Sequence, residues 1–256
     1  MLLVIDVGNT ETVLGLYREK ALISHWRMSS KVQRTSDECW ILLKMWMDQV
    51  SESGASIRGV VIASVVPSLT SVFSDMAHRH LGIEPLMIGA DIDTGLVLLY
   101  DSPGTVGADR ICNAVAGYHR FGGPLIVVDF GTATTFDIIT EKGEYAGGVI
   151  SLGLRGTAYE LHRLAAKLPH VGLVFPPSVI GRNTEDSMRS GIMWGAVAMV
   201  DNMIQYIQNE MKWKRVQTVA TGGAAACVAE RTKRVNRVEP DLTLEGMRLI
   251  YDRNRS

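Results

Sequence analysis

The stretch "VIDVGNT", residues Val4–Thr10, ends an apolar run that begins at Leu2. The run stops at Asp6, and a glycine, an asparagine and a threonine follow soon after it. A short apolar run that ends in turn-forming residues is typical of a buried strand. A second stretch, "LIVVDFGT" at Leu125–Thr132, has the same order of apolar strand, aspartate, glycine and small polar residue. About half of the chain separates the two stretches, which indicates a duplication.

The residues after each stretch extend the comparison, because both halves predict the same series of strand, turn, strand, hairpin and strand. The predicted strands are Leu2–Val7, Thr12–Tyr17 and Ala21–Arg27 in the first half, and Leu125–Phe130, Thr134–Thr140 and Tyr145–Ile150 in the second. This agreement predicts an α/β fold class with two similar domains, each with a mixed sheet. The expected domains are residues 1–118 and 119–256, with the final helix as a candidate to pack back on the first domain.

Other segments complete the outline. Hydrophobic periodicity predicts two further strands, at Gly59–Val66 and Arg215–Ala220. Periodicity and capping residues predict five helices: one that opens at Ser36, one that begins at Pro67, Asp109–Tyr118, a long helix at Thr184–Met211 and a closing helix at Leu242–Tyr251. Ser36 and Thr184 are the expected caps of their helices. A stripe of apolar side chains on the long helix is expected to be core or subunit interface: Met188, Ile192, Met199, Met203 and Ile207.

Composition excludes several classes of protein. The 256 residues are 46% hydrophobic, and 26 basic and 27 acidic residues give a formal net charge of −1. Such a balance favours neither nucleic acid nor an anionic membrane surface as a partner. No apolar run reaches the roughly 18 residues of a membrane-spanning helix, and no basic segment precedes the first apolar run as in a signal peptide. Three cysteines without a CxxC motif predict reduced thiols in a cytoplasmic protein.

The two Asp-x-Gly turns have the chemistry of phosphate sites. Glycine after a strand lets a polyphosphate approach backbone N–H groups, and asparagine or threonine adds side-chain donors. An aspartate at the strand end, such as Asp6, can hold magnesium through water or phosphate, because magnesium prefers hard oxygen ligands. A plain hairpin turn would explain a single copy as well. Two copies in matching contexts favour phosphate binding.

Two familiar phosphate motifs are absent. The "DFG" at Asp129–Gly131 follows an apolar strand, and neither an HRD loop nor a GxGxxG precedes it, so a protein kinase is excluded. The chain also lacks GxxxxGK[ST] and is therefore not a P-loop enzyme.

The motif "VGADR" at Val106–Arg110 lies where a loop meets a predicted helix. Asp109 could accept a proton from a substrate hydroxyl, and Arg110 could bind an anionic group. A charged first helical turn without catalytic function is the alternative. The motif "ATGG" at Ala220–Gly223 follows a strand, and its glycines could admit an adenine ring or simply form a turn.

Taken together, these motifs resemble those of the type III pantothenate kinases, in the superfamily of acetate and sugar kinases, heat-shock ATPases and actin. The resemblance covers nearly the whole chain and rests on an ordered series: "DVGNT" at Asp6–Thr10, "TGL…Y…P…VGADR" at Thr94–Arg110, "DFGTATT" at Asp129–Thr135, "GGVI" at Gly147–Ile150, "AAKLP" at Ala165–Pro169, "GRNTEDSMRSGI" at Gly181–Ile192, and "ATGG". The chain departs from the family at Ser151-Leu152-Gly153, where Thr-Pro-Gly is frequent.

The resemblance implies two ribonuclease H-like (actin-like ATPase) domains and the ATP-dependent phosphorylation of pantothenate to 4'-phosphopantothenate, the first step of coenzyme A biosynthesis. It implies that Asp109 is the general base and that Asp129 binds a monovalent cation, potassium or ammonium. The implied ATP-binding residues are Asp6, Val7, Gly8, Asn9, Thr10, Glu11, Thr12, Val13, Thr132, Gly222 and Gly223. The implied pantothenate-binding residues are Tyr100, Gly107, Ala108, Asp109, Arg110 and Thr184. Magnesium dependence and a homodimer, with the long helix near its interface, are implied as well.

Two other functions compete with this interpretation. One is a kinase of the same fold that acts on another small substrate, such as a sugar or acetate. The other is a regulatory relative that has lost catalysis. Asp6, Asp109 and Asp129 argue against the second alternative, since a protein without catalytic activity has no physical need for three such carboxylates.

Overall fold

The computed structural model describes residues 1–50 and 56–255. Contacts between Cα atoms divide the chain into two compact units. The first unit comprises Met1–Ala116 and the segment from Leu242 onward, and the second comprises Gly117–Asp241. Among the helices of this described part, none is both long enough and apolar enough to cross a membrane.

The regular elements follow in chain order. The strands are β1 (Leu2–Val7), β2 (Glu11–Arg18), β3 (Ala21–Ser29), β4 (Gly59–Ser64), β5 (Leu86–Met87), β6 (Val97–Leu98), β7 (Leu125–Phe130), β8 (Ala133–Ile139), β9 (Glu144–Leu152), β10 (Gln217–Thr221) and β11 (Arg237–Val238). The helices are α1 (Ser36–Val50), α2 (Pro67–Met76), α3 (Ala108–Phe121), α4 (Leu154–Leu164), α5 (Thr184–Glu210), α6 (Ala225–Ala229) and α7 (Leu242–Arg253). A π-helical turn at Ala77–Leu81 continues α2, and a 3-10 turn spans Pro103–Thr105.

The sheet of the first unit has the strand order β3-β2-β1-β4-β5. Its central strand β1 pairs antiparallel with β2 and parallel with β4. Five of the six β1 residues are buried, because elements cover both faces of the strand. On one face, Leu3, Ile5 and Val7 join a core with residues of α1 and α2. On the other, α7 packs against β1 and β4.

The second unit repeats this arrangement. Its strands follow the order β11-β10-β7-β8-β9, and β7 pairs antiparallel with β8 and parallel with β10. β7 therefore holds the place that β1 has in the first unit, and both strands have the same burial pattern. The predicted α/β fold class with two similar mixed-sheet domains is confirmed. Both apolar strands, Leu2–Val7 and Leu125–Phe130, have the predicted bounds.

The core of the second unit lies between its sheet and the long helix α5. Met188, Ile192 and Ile207 of the predicted apolar stripe are buried. Met199 and Met203 are partly buried against the same core. Within this unit the stripe is therefore a packing surface. Sequence reasoning did not predict α4, which precedes α5 and contributes Leu154 and Ala158 to the core.

Both helix caps predicted from the sequence are wrong by one residue. At α1 the cap is Thr35: its hydroxyl accepts a hydrogen bond from the Glu38 N–H at 3.3 Å, and the Glu38 carboxylate accepts one from the Thr35 N–H at 2.7 Å. This reciprocal pair is a capping box, and Ser36 is already inside the helix. At α5 the cap is Asn183, whose side-chain oxygen accepts from the Asp186 N–H at 2.8 Å. Thr184 is the first helical residue.

Candidate active site

The first Asp-x-Gly turn joins β1 to β2. The Gly8 N–H donates to the Glu11 carbonyl at 3.1 Å and closes the turn. A Cβ on Gly8 would lie 3.0 Å from that carbonyl oxygen, so the turn favours glycine. Asn9 is exposed at the tip, and Thr10 is half-buried beside it. Exposed backbone N–H groups and an amide side chain at a strand end can hold phosphate.

Not every residue predicted on this hairpin offers a side chain to a ligand. The Val7 side chain belongs to the core of the first unit. The Thr12 side chain is buried, and its hydroxyl shares a 2.9 Å hydrogen bond with the Ser30 hydroxyl. At these two positions a ligand can reach only the backbone. Glu11 is exposed and Val13 is half-buried.

The second turn joins β7 to β8 and is tighter. The Gly131 N–H donates to the Ala133 carbonyl at 3.0 Å, and the Thr132 carbonyl accepts from the Gly153 N–H at 3.1 Å. A Cβ on Gly153 would lie 2.5 Å from the Gly131 carbonyl oxygen, and it would overlap the Thr132 carbonyl. The segment Ser151-Leu152-Gly153 thus ends β9 and leads into α4, with Gly153 pressed against the hairpin. Thr132 itself is exposed.

The "ATGG" turn lies beside Asp129. Thr221 of β10 pairs with Asp129 of β7 in the parallel ladder, so both strands end at the same edge of the sheet. Gly222 has φ +89°, and a Cβ there would lie 2.8 Å from the Phe130 nitrogen and would overlap Oδ1 of Asp129. Gly223 is exposed, with open space beside its Cα. The second unit therefore brings together Asp129, the Gly131–Thr132 turn and Gly222.

Asp109 lies in the first turn of α3 and is half-buried. Its Oδ1 accepts a hydrogen bond from the Arg110 N–H at 2.8 Å. A Cβ on Gly107 would lie 2.5 Å from the same oxygen, so the glycine leaves room for the carboxylate. The positive end of the helix dipole favours a negative charge at this position. Ala108 and Arg110 are buried on either side.

The charges of Asp6 and Asp109 both act on one buried thiol. Burial raises the pKa of the Cys112 thiol well above its ordinary value, and the Asp6 and Asp109 carboxylates raise it further. Cys112 is fully buried in α3. The fold of the first unit therefore brings the strand-end aspartate and the helix-start aspartate to the same neighbourhood. Sequence reasoning did not assign any part in this to Cys112.

The two remaining predicted residues lie apart from these turns in the chain. Tyr100 is half-buried in the irregular segment between β6 and α3 of the first unit. Thr184 is exposed at the start of α5 in the second unit.

The donor groups fit the cations expected at a phosphate-transfer site. In residues 1–50 and 56–255 no cluster of three or more His, Cys, Asp or Glu side chains could hold a metal ion alone. Magnesium commonly takes one or two carboxylates and completes its shell with water and substrate phosphates, and Asp6 suits that pattern. At Asp129, the absence of a side chain on Gly222 leaves room for the carboxylate oxygen beside a backbone turn.

Comparisons with solved structures define the class of protein. The chain is similar to component A of (R)-2-hydroxyglutaryl-CoA dehydratase from Acidaminococcus fermentans, with a TM-score of 0.54, 14% identity and coverage of 98% of this chain and 96% of that one. It is also similar to the inorganic polyphosphate/ATP-glucomannokinase of Arthrobacter sp. strain KM, with a TM-score of 0.50, 13% identity and coverage of 99% of both chains. At these identities the likeness shows the fold alone. That fold is the duplicated ribonuclease H-like, or actin-like ATPase, fold.

Sequence comparisons define the family. The family model described as type III pantothenate kinase matches residues 2–206. The type III pantothenate kinase of Moorella thermoacetica is 48% identical over 254 residues, which is 99% of this chain and 100% of the relative. That of Myxococcus xanthus is 46% identical over 256 residues and 100% of both chains. The chain belongs to the type III pantothenate kinase family.

Proposed function

We propose that the protein transfers the γ-phosphoryl group of ATP to the terminal hydroxyl of pantothenate, forming 4'-phosphopantothenate in the first step of coenzyme A biosynthesis. Full-length similarity to type III pantothenate kinases supports this proposal. The observation that carries it is the position of Asp109 at the start of α3, with its carboxylate oriented by the Arg110 N–H and with both its charge and that of Asp6 acting on the Cys112 thiol. In protein kinases an aspartate accepts the proton of the substrate hydroxyl while other groups hold the phosphates, and Asp109 suits the same role.

Asp109 acts as the general base in this mechanism. Its Oδ1 accepts from the Arg110 N–H, and this hydrogen bond fixes the orientation of the carboxylate. A carboxylate is a weak base towards an alcohol, so the proton moves late, as the bond from the hydroxyl oxygen to phosphorus forms in line with the leaving ADP oxygen. Arg110 is buried and its charge can stabilise the pantothenate carboxylate or the transferring phosphoryl group.

Both glycine hairpins carry family motifs for phosphate binding. Backbone groups from Asp6 to Val13, with the Asn9 amide and the Thr10 hydroxyl, hold phosphate oxygens on one hairpin, and Thr132 holds them on the other. Gly222 and Gly223 admit the adenosine moiety, since Gly223 has open space beside it. Tyr100, the Gly107–Arg110 turn and Thr184 bind pantothenate. These assignments follow the family motifs onto the positions described above.

Two cations complete the site. Asp6 would hold magnesium through water or phosphate, where the ion would neutralise charge on the phosphates, and Asp129 would hold potassium or ammonium. Each of these carboxylates is on the last but one residue of a buried apolar strand, directly before the adjoining turn.

The enzyme forms a homodimer through its second unit. Exposed apolar side chains occur on both units, and the most exposed ones lie on the second: Leu164 at 73% exposure and Ile180 at 79%, together with Ile150, Leu152, Tyr159, Val179 and Tyr206 in the same unit. An exposed apolar surface of this kind is typical of a subunit interface.

The protein is placed in the cytoplasm, in agreement with its three free cysteines.

The test is ADP release by the purified protein with magnesium and ATP, measured with and without pantothenate and in potassium or sodium buffer. Release that depends on pantothenate and on potassium is the expected result. Pantothenate-dependent release that is indifferent to the cation would remove the cation assignment at Asp129 and keep the kinase. Release stimulated by a sugar or acetate, and not by pantothenate, would replace the substrate. A folded protein without any release would favour the regulatory alternative.

A further inference from the structure

A second cleft lies at the end of β1 that is remote from the Gly8 hairpin. Its volume is about 450 Å³, and its lining includes Met1, Arg18, Lys20, Arg58, Tyr251 and Arg255. All of these residues belong to the first unit. Since β1 has six residues and a strand rises about 3.3 Å per residue, roughly 20 Å separate this cleft from the hairpin. None of the residues predicted for catalysis or for ATP or pantothenate binding lines it.

Strand register places two of the arginines on either side of Met1. Leu2 pairs with Tyr17 of β2 on one side and with Gly59 of β4 on the other. Arg18, the last residue of β2, and Arg58, the residue before β4, therefore flank Met1. Adjacent strands lie about 4.8 Å apart, so the backbones at Arg18 and Arg58 are separated by about 10 Å. A chain of two or three phosphate groups can bridge such a distance.

The end of α7 supplies the third arginine. The Arg255 guanidinium lies 5.5 Å from the centre of the Tyr251 ring. The Tyr251 hydroxyl occupies the space that a side chain at Gly59 would fill, so Tyr251 is fixed against the start of β4. Arg255 is thereby held over the same cleft as Arg58. Lys20, in the turn between β2 and β3, is the fourth cationic side chain of the lining.

The charge of the cleft is poorly compensated. In the described part of the chain, no salt bridge joins Arg18, Lys20, Arg58 or Arg255 to an acidic side chain. Of the two acids in the lining, Asp252 is already bound by Arg248 at 2.7 Å, which leaves Glu19. The pKa of the Met1 amino group is lowered, first by burial and then by the charges of Arg58, Arg18 and Arg255. A positive charge is therefore disfavoured here, and an anion would be favoured.

We propose that this cleft, defined by Arg18, Lys20, Arg58 and Arg255, is a second anion site that binds a small ligand carrying two or more linked phosphate groups. Guanidinium groups on three separate segments can each engage different phosphate oxygens. The shared chemistry is the oligophosphate chain, whether it is inorganic or part of a nucleotide. The site does not depend on the kinase activity and lies outside its machinery.

Lys20 gives a local readout of binding. The purified protein would be treated with an amine-acetylating reagent, with and without inorganic tripolyphosphate, and the acetylation rates of Lys20 and Lys44 would be measured by peptide mass spectrometry. Lys44 is exposed on α1 and serves as the internal reference. The expected result is a Lys20 rate slowed at least several-fold by tripolyphosphate and an unchanged Lys44 rate. Equal Lys20 rates with and without tripolyphosphate would overturn the proposal.

Two variants make the test specific. In Arg58→Gln/Arg255→Gln the protection of Lys20 should be lost, while the kinase rate without added tripolyphosphate stays at the wild-type value. In Arg79→Gln/Arg215→Gln, which removes the same charge from exposed positions elsewhere, protection should remain. Protection that survives in the first variant would also overturn the proposal.

A repeat with ATP distinguishes the two sources of the oligophosphate chain. Protection by ATP as well as tripolyphosphate supports a site open to nucleotides, and protection by tripolyphosphate alone supports an inorganic ligand.

Discussion

The two glycine hairpins have the same place in their sheets and differ in what holds them. In the first unit, Gly8 closes a turn to Glu11, and the nearby groups are side chains: the Thr12–Ser30 hydroxyl pair and the Asp6 carboxylate. In the second unit, the turn at Gly131 is held by backbone, with Gly153 and Gly222 packed where no side chain would fit. Duplication thus preserved the strand-and-turn frame. A side-chain hydrogen bond between Thr12 and Ser30 supports the first turn, and close backbone packing supports the second.

The largest effect on activity is expected from substitution of Asp109, the proposed general base. Asp109→Asn keeps an oxygen that can accept from the Arg110 N–H, so the fold should be retained. Loss of the base should lower kcat by about 10²–10⁴-fold and leave KM for ATP nearly unchanged. Steady-state ADP release would measure both constants.

Asp101→Asn is the matched control, because Asp101 is exposed in the loop before α3. Its kcat should equal that of the wild type. An Asp109→Asn enzyme that keeps more than about a third of the wild-type kcat would show that this carboxylate is not the base.

The close backbone packing of the second hairpin predicts the next largest effect. Gly222→Ala places a Cβ in the Phe130 backbone and against Asp129, at a φ of +89° that side chains rarely adopt. The expected loss is about 2–4 kcal/mol of stability, with a raised KM for ATP. Urea unfolding would measure the first quantity and ADP release the second.

The neighbouring glycine provides the comparison. Gly223→Ala meets open space and should change the free energy of unfolding by less than about 0.5 kcal/mol. Equal losses in Gly222→Ala and Gly223→Ala would show that Asp129 and Phe130 can move aside, and the contrast between the hairpins would then disappear.

The first hairpin should be more tolerant of the same substitution. A Cβ at Gly8 meets only the Glu11 carbonyl at 3.0 Å, and a shift of a few tenths of an ångström would relieve the contact. Gly8→Ala is therefore expected to cost about 1 kcal/mol, less than Gly222→Ala. Urea midpoints of both variants, measured in parallel, would reveal the reverse order if the first hairpin were the stiffer one.

The sequence was most informative where a local pattern decides the structure. The first and last residues of β1 and β7 could be predicted because each strand is a buried apolar run that ends at a polar turn. The cap residues of the helices could not be identified in the same way. Thr35 and Ser36, or Asn183 and Thr184, are adjacent residues of suitable type, and only the backbone geometry selects between them. Helix α4 lacks a side-chain cap hydrogen bond and contains Gly156, which leaves a weak signal.

The features of the candidate site that could not be predicted are contacts between distant parts of the chain. The effect of Asp6 and Asp109 on Cys112 depends on where α3 lies, and α3 packs against α7 at Cys112 and Gly246. The fit of Gly153 against Thr132 depends on the path of β9. Neither leaves a periodic signal. The motifs identified the residue types of a phosphate site, and the folded chain adds which of their side chains remain accessible.

The smallest effect is expected at two buried threonines, Thr12 of β2 and Thr134 of β8. They hold equivalent positions beside the two hairpins. The Thr12 hydroxyl bonds to Ser30 at 2.9 Å, so Thr12→Val should destabilise the protein by about 1 kcal/mol. The Thr134 hydroxyl is buried and, within the part of the chain that the structure describes, has no hydrogen-bond partner. Thr134→Val removes an unsatisfied polar group and should be neutral or stabilising by up to about 1 kcal/mol.

Both substitutions are nearly isosteric, so differences in packing volume largely cancel between them. Urea unfolding of the two variants against the wild type measures the sign of each change. Destabilisation of similar size in both would mean that the Thr134 hydroxyl is hydrogen-bonded in solution, as the Thr12 hydroxyl is. Opposite signs would mean that the first hairpin depends on a side-chain hydrogen bond where the second depends on backbone packing alone.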